Sequence, residues 1–455
     1  MTMQITETVS EGLRREYRIV VPMSDLDRKV TARLEEMQPR MHLKGFRPGK
    51  APVSFLKKQF GKSMMGEVVE EAVNEGSKKA IEDNALKPAF RPLVEPVGEI
   101  EQVVEGKADL EFTVKVDLMP EFELADVSKI EVERLYSEVT DADVDEAMRR
   151  LAEQARTYSP RPEGSAAELD DTVEIDFVGR VDGEEFAGGR ANGFNLVLGS
   201  GQFIAGFEEQ LIGAKAGDER EVKVTFPQDY PEAQLAGKDA SFAVAVKQVK
   251  APDPIKLDDE FAKRLGVESI GQLKERVREQ VKMDFNRASR LHLKRRILDA
   301  LDSKHAFAVP PAMVDSEFEG IWNAVQAELK REGKTALDEG RTEDDLKKEY
   351  RGIAERRIRL GLVLARIGEQ NGLDVSGEEL QRAIAQRARQ FPGQEQQVFE
   401  YYSKNAQAQA EIRAPLFEDK VVDFIAELAD VSERKVDRET LFMDPDAAAE
   451  KLKSD

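Results

Sequence analysis

No cysteine occurs in the 455 residues, which excludes disulfides, thiolate metal sites and a cysteine nucleophile and suits a reducing cytoplasm. Histidine is almost as scarce. The three present, His42, His292 and His305, have no metal-ligand spacing, and no Gly-x-Ser-x-Gly elbow is found. No stretch approaches the roughly 18 apolar residues of a membrane span. Residues 1–16 carry neither an apolar core nor a cleavage-site pattern, so neither a leader nor an anchor is expected. Aromatics make up only 7% of the chain against 35% charged residues, a balance that favours long, solvated, helix-rich structure. Its length suggests about three domains of roughly 150 residues each.

What is present is acidic, with a net charge of −21, except in one place. Between residues 37 and 66 there is no aspartate or glutamate, yet Arg40, Lys44, Arg47, Lys50, Lys57, Lys58 and Lys62 all fall there. At the centre of this island lies Gly45-Phe46-Arg47-Pro48-Gly49-Lys50-Ala51-Pro52, whose glycines and prolines rule out a regular helix or central strand and describe a shaped loop. Local potential rather than net charge steers encounter, so a lone basic loop on an acidic protein points to docking on an anionic partner. A solvated turn with Phe46 tucked beneath it is the competing reading. The spacing of the two glycines is one residue short of a phosphate-binding P-loop, and Gly61-Lys62-Ser63 has Leu56 where the first glycine would stand, so no nucleotide is implied.

Along the chain, Tyr17, Ile19 and Val21 alternate as a strand before Ser24 and Asp27, which read as an N-cap and its N3 acid opening a helix. A second helix is predicted over residues 63–83, and Leu110, Phe112, Val114, Val116 and Leu118 alternate as a strand. Residues 1–118 therefore predict a small α+β domain presenting the basic loop, and residues 119–164 a linker with a strand near residues 130–135 and a helix carrying Val144, Met148 and Leu151. Residues 165–250 predict a β-rich module, in which the period changes to two from Asp170 onward. Val173, Ile175 and Phe177, then Val222, Val224 and Phe226, then Phe242, Val244 and Val246 read as amphipathic strands, Asp182-Gly183 as a tight hairpin turn, and residues 198–211 as a glycine-rich turn into a short helix. Aromatics gather here, and they either fill the core or line an apolar cleft. Residues 251–455 read as long amphipathic helices, with one stripe through Ile270, Leu273, Val277, Val281, Ala288, Leu291, Ile297 and Leu301 and another through Leu346, Tyr350, Ile353, Leu360, Val363 and Ile367; a flexible tail is expected beyond Phe442.

The β-rich module, from residues 173–179 through Asp182-Gly183-Glu184-Glu185-Phe186 and the 199–211 run to Val224-Thr225-Phe226-Pro227 and Tyr230-Pro231, resembles an FKBP-type peptidyl-prolyl isomerase domain. Preceded by the basic loop, and followed by Val309-Pro310-Pro311-Ala312-Met313-Val314 and Phe399-Glu400-Tyr401-Tyr402-Ser403-Lys404-Asn405, it is similar over essentially the full chain to the trigger factor family of bacterial chaperones. That resemblance implies an α+β multidomain protein: a ribosome-docking α+β domain, an antiparallel FKBP-like sheet domain with a short helix, and a long-helix chaperone domain that cradles substrate.

It also implies a function. The chain would bind nascent and unfolded polypeptides at the ribosomal exit tunnel without ATP, cofactor or metal, and would isomerise X-Pro bonds; DNA and membranes are not implied as partners, and a homodimer off the ribosome is. Lys44, Gly45, Phe46, Arg47, Gly49 and Lys50 would contact an exit-tunnel ribosomal protein and adjacent rRNA, with Pro48 where some members carry lysine. Phe177, Phe186, Phe203, Ile204, Phe207, Tyr230 and Phe242 would line the prolyl pocket. Phe207 stands where single-domain relatives often have tryptophan, and Ala187 where an acidic residue is common, which predicts weak binding of macrolide inhibitors. The alternative is a freestanding isomerase whose helical region only binds partners or dimerises.

Overall fold

The computed structural model describes residues 2–43, 46–47, 49–228, 230, 232, 234–333 and 340–454. They form two compact units, residues 1–133 with 293–432 and residues 134–292 with 433–455. The first begins with β1 (Gln4–Glu11), β2 (Arg14–Val21), α1 (Met23–Met37), α2 (Val53–Asp83), β3 (Leu93–Pro96), α3 (Ile100–Val104) and β4 (Leu110–Asp117), the strands forming an antiparallel sheet in the order β1-β2-β4-β3. The predicted alternation puts Tyr17, Ile19 and Val21 of β2 and Leu110, Phe112, Val114 and Val116 of β4 into one core with Leu26, Val30 and Leu34 of α1 and Leu56, Val68 and Ala72 of α2. Helix and sheet approach so closely at Gly76 that a Cβ there would lie 2.9 Å from Phe112 Cζ.

Two sequence expectations change here. The Ser24/Asp27 cap does not form, because α1 starts at Met23 behind Pro22, whose φ of −60° already suits helix entry. Its free amides are met from elsewhere: Met23 N–H donates to Asp109 Oδ1 at 2.7 Å. Helix α2 begins at Val53, directly after Pro52, rather than near residue 63, so Lys57, Lys58 and Lys62 stand on a helix and not in the loop.

Beyond β5 (Glu131–Tyr136), α4 (Asp141–Gln154) opens with a capping box in which Thr140 and Asp143 exchange hydrogen bonds. In the second unit β6 (Tyr158–Pro160), β7 (Thr172–Val181), β8 (Glu184–Val197), β9 (Glu219–Thr225) and β10 (Asp239–Pro252) make an antiparallel sheet ordered β6-β10-β7-β8, with β9 also on β10. Asp182 and Gly183 turn the β7–β8 hairpin with φ of +52° and +87°, the left-handed pair that matches strand twist. The module's short helix is a single 3-10 turn, Glu209–Leu211. Val144, Met148 and Ala152 of α4 pack on Phe261 of α5 (Asp259–Arg264) and Leu273 of α6 (Ile270–Lys304).

The first unit also holds α7 (Pro311–Glu332), α8 (Glu343–Asn371), α9 (Gly377–Ala388), α10 (Glu395–Lys404) and α11 (Ala406–Leu428), and the later residues of α6 pack with α8 and α11. Ile297, Leu301, Leu360, Val363, Ile367, Val421 and Ile425 share one core, whereas Ile353 of the predicted α8 stripe is exposed. Pro310 offers α7 no side-chain cap, and Asp117 at the end of β4 supplies one: Ala312 N–H donates to its Oδ2 at 2.8 Å, while Arg14 Nε lies 3.2 Å from Oδ1. The chain ends in β11 (Asp430–Lys435), α12 (Arg438–Phe442) and α13 (Pro445–Ser454). The tail expected to be flexible past Phe442 is thus helical: Ala448 is fully buried, Leu452 packs with Phe285 and Leu441, and Lys451 Nζ donates to Thr440 Oγ1 at 2.8 Å.

Candidate functional site

Strands β7, β8 and β10, the segment around residue 205 and the one that follows β9 form a cleft of about 480 Å³ lined by Phe177, Phe186, Gly188, Gln202, Phe203, Ile204, Ala205, Phe226, Pro227, Tyr230 and Phe242. The strand period of two delivers Phe177 and Phe242 to the same face of the sheet, where their rings meet at 6.1 Å. Phe186 lies against Phe242 at 6.0 Å and against Phe226 at 5.7 Å, and Phe226 carries the Tyr230 ring at 4.7 Å, so the aromatic walls brace one another edge to face. Phe186 is seated on two glycines: a Cβ on Gly179 would lie 2.9 Å from its Cε1, and one on Gly189 would lie 3.0 Å from its Cε2 and Cζ.

Six of the seven residues expected to line a prolyl pocket line this cleft; the exception is Phe207. It is fully buried behind the wall, 4.6 Å from the Phe203 ring and 5.2 Å from that of Phe242, because the turn through Gly206 sends it inward as the floor. Phe226 and Pro227 join the lining without having been predicted to. The continued alternation of Val222, Val224 and Phe226 was the signal that could have found the first of them. Tyr230 is the one titratable side chain among the described lining residues. Beneath the wall, Glu208 accepts hydrogen bonds from the Gly199 and Gly201 amides at 2.8 and 3.1 Å and from the Phe203 amide at 3.2 Å.

Of the predicted docking residues, Lys44 and Gly45 lie outside the described residues, as does Pro48. Phe46 is half-buried, packing on the N-terminal core and meeting the Phe55 ring at 4.9 Å, so the tucked ring and the shaped loop coexist. Arg47 and Lys50 are exposed. Gly49 has φ of +71°, and a Cβ there would lie 3.1 Å from Pro39 O, so both conformation and space require glycine. His292 and His305 are buried structural groups. His292 Nε2 lies 2.9 Å from Leu441 O, and His305 accepts from Ala125 N–H while its Nδ1 meets Leu301 O at 2.7 Å.

Residues 3–151 match the family described as bacterial trigger factor protein, residues 163–247 that of FKBP-type peptidyl-prolyl cis-trans isomerase, and residues 269–427 the bacterial trigger factor C-terminus. The trigger factor of Parvibaculum lavamentivorans is 54% identical over 445 residues, covering 98% of this chain and 87% of that protein. The chain belongs to the trigger factor family. The trigger factor of Azorhizobium caulinodans is 51% identical over 450 residues, covering 98% of this chain and all of that protein. A solved structure of the trigger factor chaperone shares the fold, with a TM-score of 0.52 at 20% identity over 93% of this chain and 99% of that one.

Trigger factor membership makes this a ribosome-associated chaperone that binds ribosomes and nascent chains and carries an FKBP-type peptidyl-prolyl isomerase domain. The freestanding isomerase is not favoured. No helix among the described residues is long and apolar enough to cross a membrane.

Proposed function

We propose that the aromatic cleft is where this trigger factor isomerises X-Pro bonds, with Phe177, Phe186, Phe203, Ile204, Tyr230 and Phe242 forming its walls and Phe207 its floor. The supporting observation is a cleft of about 480 Å³ lined chiefly by aromatic and aliphatic side chains. Rotation about the prolyl amide has a barrier of about 20 kcal/mol because planarity is stabilised by charge-separated resonance. An apolar surround disfavours that charge separation, and walls that hold the prolyl ring let the bound amide twist out of plane, so the twisted form is bound more tightly than either planar one. This chemistry uses no acid, base or nucleophile; Gln202 and Tyr230 are the polar side chains among the described lining residues.

The basic loop is the docking tip in this reading. Exposed Arg47 and Lys50, with Lys44 and Gly45, would meet rRNA phosphates and acidic side chains of an exit-tunnel ribosomal protein, while Phe46 and Gly49 hold the loop's shape from below. The protein would act in the cytoplasm and dimerise away from the ribosome, with residues 1–118 docking, 119–164 linking, 165–250 isomerising and 251–455 cradling clients. The test is co-sedimentation with purified bacterial ribosomes at moderate salt, comparing the wild type with Arg47→Ala/Lys50→Ala. The pair leaves the Phe46–Phe55 contact intact, so loss of binding assigns the tip to these charges. Equal binding would refute the loop assignment.

A further inference from the structure

The segment that carries Phe203 and Ile204 into the cleft wall is short of ordinary backbone support. Ser200 N–H bonds to Val197 O and Phe207 N–H to Ile204 O, but the amides of Gly199, Gly201 and Phe203 converge on the carboxylate of Glu208 instead. The left-handed φ values of +92° at Gly199 and +69° at Gly201 turn alternate N–H groups to one side, producing a concave nest for an anion. Glu208 Oε2 takes Gly199 and Gly201, while Oε1 takes Phe203 N–H at 3.2 Å and Ser200 Oγ at 3.3 Å. The acceptor capacity of the carboxylate is thereby spent on one turn. No lysine or arginine pairs with it among the described residues, and it is 5% exposed, so the amides and the Ser200 hydroxyl compensate the buried charge. Burial pushes the Glu208 carboxyl up, but the Gly201, Phe203 and Gly199 amides and the Ser200 hydroxyl outweigh it and hold it below the usual carboxylate range.

We propose that Glu208 is a positioning residue for prolyl isomerisation, its buried carboxylate holding residues 199–203 so that Phe203 and Ile204 stand where the twisted amide needs them. The neighbouring side chain completes the device. Phe207 lies 4.6 Å from the Phe203 ring, so consecutive residues grip the same wall, one by its side chain and the other by its backbone. This rests on the cleft being the prolyl site.

The experiment compares wild-type full chain, Glu208→Gln and Phe203→Ala on a proline-containing tetrapeptide, at a temperature where circular dichroism shows each folded. Glutamine presents one oxygen and one NH2 group, so either the two glycine amides or the Phe203 amide must face a donor. A displaced wall still offers apolar surface to the planar ground state but not to the twisted one. The expected result for Glu208→Gln is therefore a fall in kcat of about tenfold or more with KM changed less than about threefold, together with faster hydrogen exchange at Gly199, Gly201 and Phe203. Unchanged kcat in a folded Glu208→Gln variant overturns the proposal, even if its melting temperature drops. Wild-type activity in Phe203→Ala overturns the cleft assignment as well, whereas loss in Phe203→Ala alone leaves the cleft standing and removes only the role of Glu208. Should Glu208→Gln fail to fold, Gly201→Ala replaces it. That substitution adds no clash but strains the same turn, and a kcat equal to wild type there overturns the proposal too.

Discussion

Gly179→Ala is the sharpest perturbation of the cleft that removes no lining side chain. Gly179 sits in β7 beneath two wall rings, and an alanine Cβ would fall 2.5 Å from Phe242 Cε1 and 2.9 Å from Phe242 Cδ1 and Phe186 Cε1. Carbon atoms rest at about 3.5–4.0 Å, so both rings must give way, the nearer by roughly 1 Å. Phe242 has little freedom to yield. It is 4% exposed and already packed against Phe177, Phe186 and Phe207 at 6.1, 6.0 and 5.2 Å. Phe242 can therefore yield only by pressing on half-buried Phe186, which is the ring expected to swing furthest, narrowing the cleft from the Phe226 side. Overpacking of this kind costs about 1–3 kcal/mol, and a misplacement of about 1 Å in a positioning wall lowers turnover by about 10–100-fold. The assay is kcat/KM on a proline-containing peptide, with hydrogen exchange of the β7 and β10 amides reporting local stability and suppression of client aggregation as the control expected to survive. A variant with kcat/KM within twofold of wild type and unchanged β7 and β10 protection would refute the seat described for Phe186.

Asp117→Ala should loosen the contact between β4 and the start of α7, since it removes both the partner of Arg14 and the only side-chain acceptor described for Ala312 N–H; a loss of about 1–3 kcal/mol is expected, read as faster exchange in the first turn of α7, and Asp117→Asn should cost less because an acceptor remains. Acid should loosen the start of α9. The Lys420 ammonium at 2.8 Å, with the Ser376 amide and hydroxyl, holds the Glu379 carboxyl at about 2 against an ordinary 4.5, and because the folded value is the lower one, its contribution is present above about pH 4.5 and lost as pH falls towards 2. An NMR titration placing Glu379 near 4.5 would contradict this.

Features set by neighbours in the chain were legible in advance. The alternation of β7, β9 and β10 and the Asp182-Gly183 turn depend on local period and backbone conformation, and each stands close to where the residues put it, whereas Leu291 of the predicted α6 stripe is exposed. Contacts between distant residues were not. The amides of α1 and α7 are met by Asp109 and Asp117, separated from them by 86 and 195 residues, so the Ser24/Asp27 pattern misled: a proline at the entry and a remote carboxylate did the work of a local cap. The same blindness placed Phe207 on the pocket wall. An aromatic at that position reads identically whether it faces the cleft or the core, and only the turn at Gly206 decides. The tail shows the converse, because its polar composition hid the small Ala448 that lets α13 lie close.

By itself the sequence determined the strand and helix periods, the isolation of positive charge around Arg47 and the lack of cysteine, since these follow from composition and short-range sterics. Only the tertiary structure decided which aromatics became wall and which became floor, that two glycines make room for Phe186, and that a buried glutamate gathers the amides behind Phe203. Those depend on where atoms far apart in the chain come to rest, and burial and packing act only once they have met.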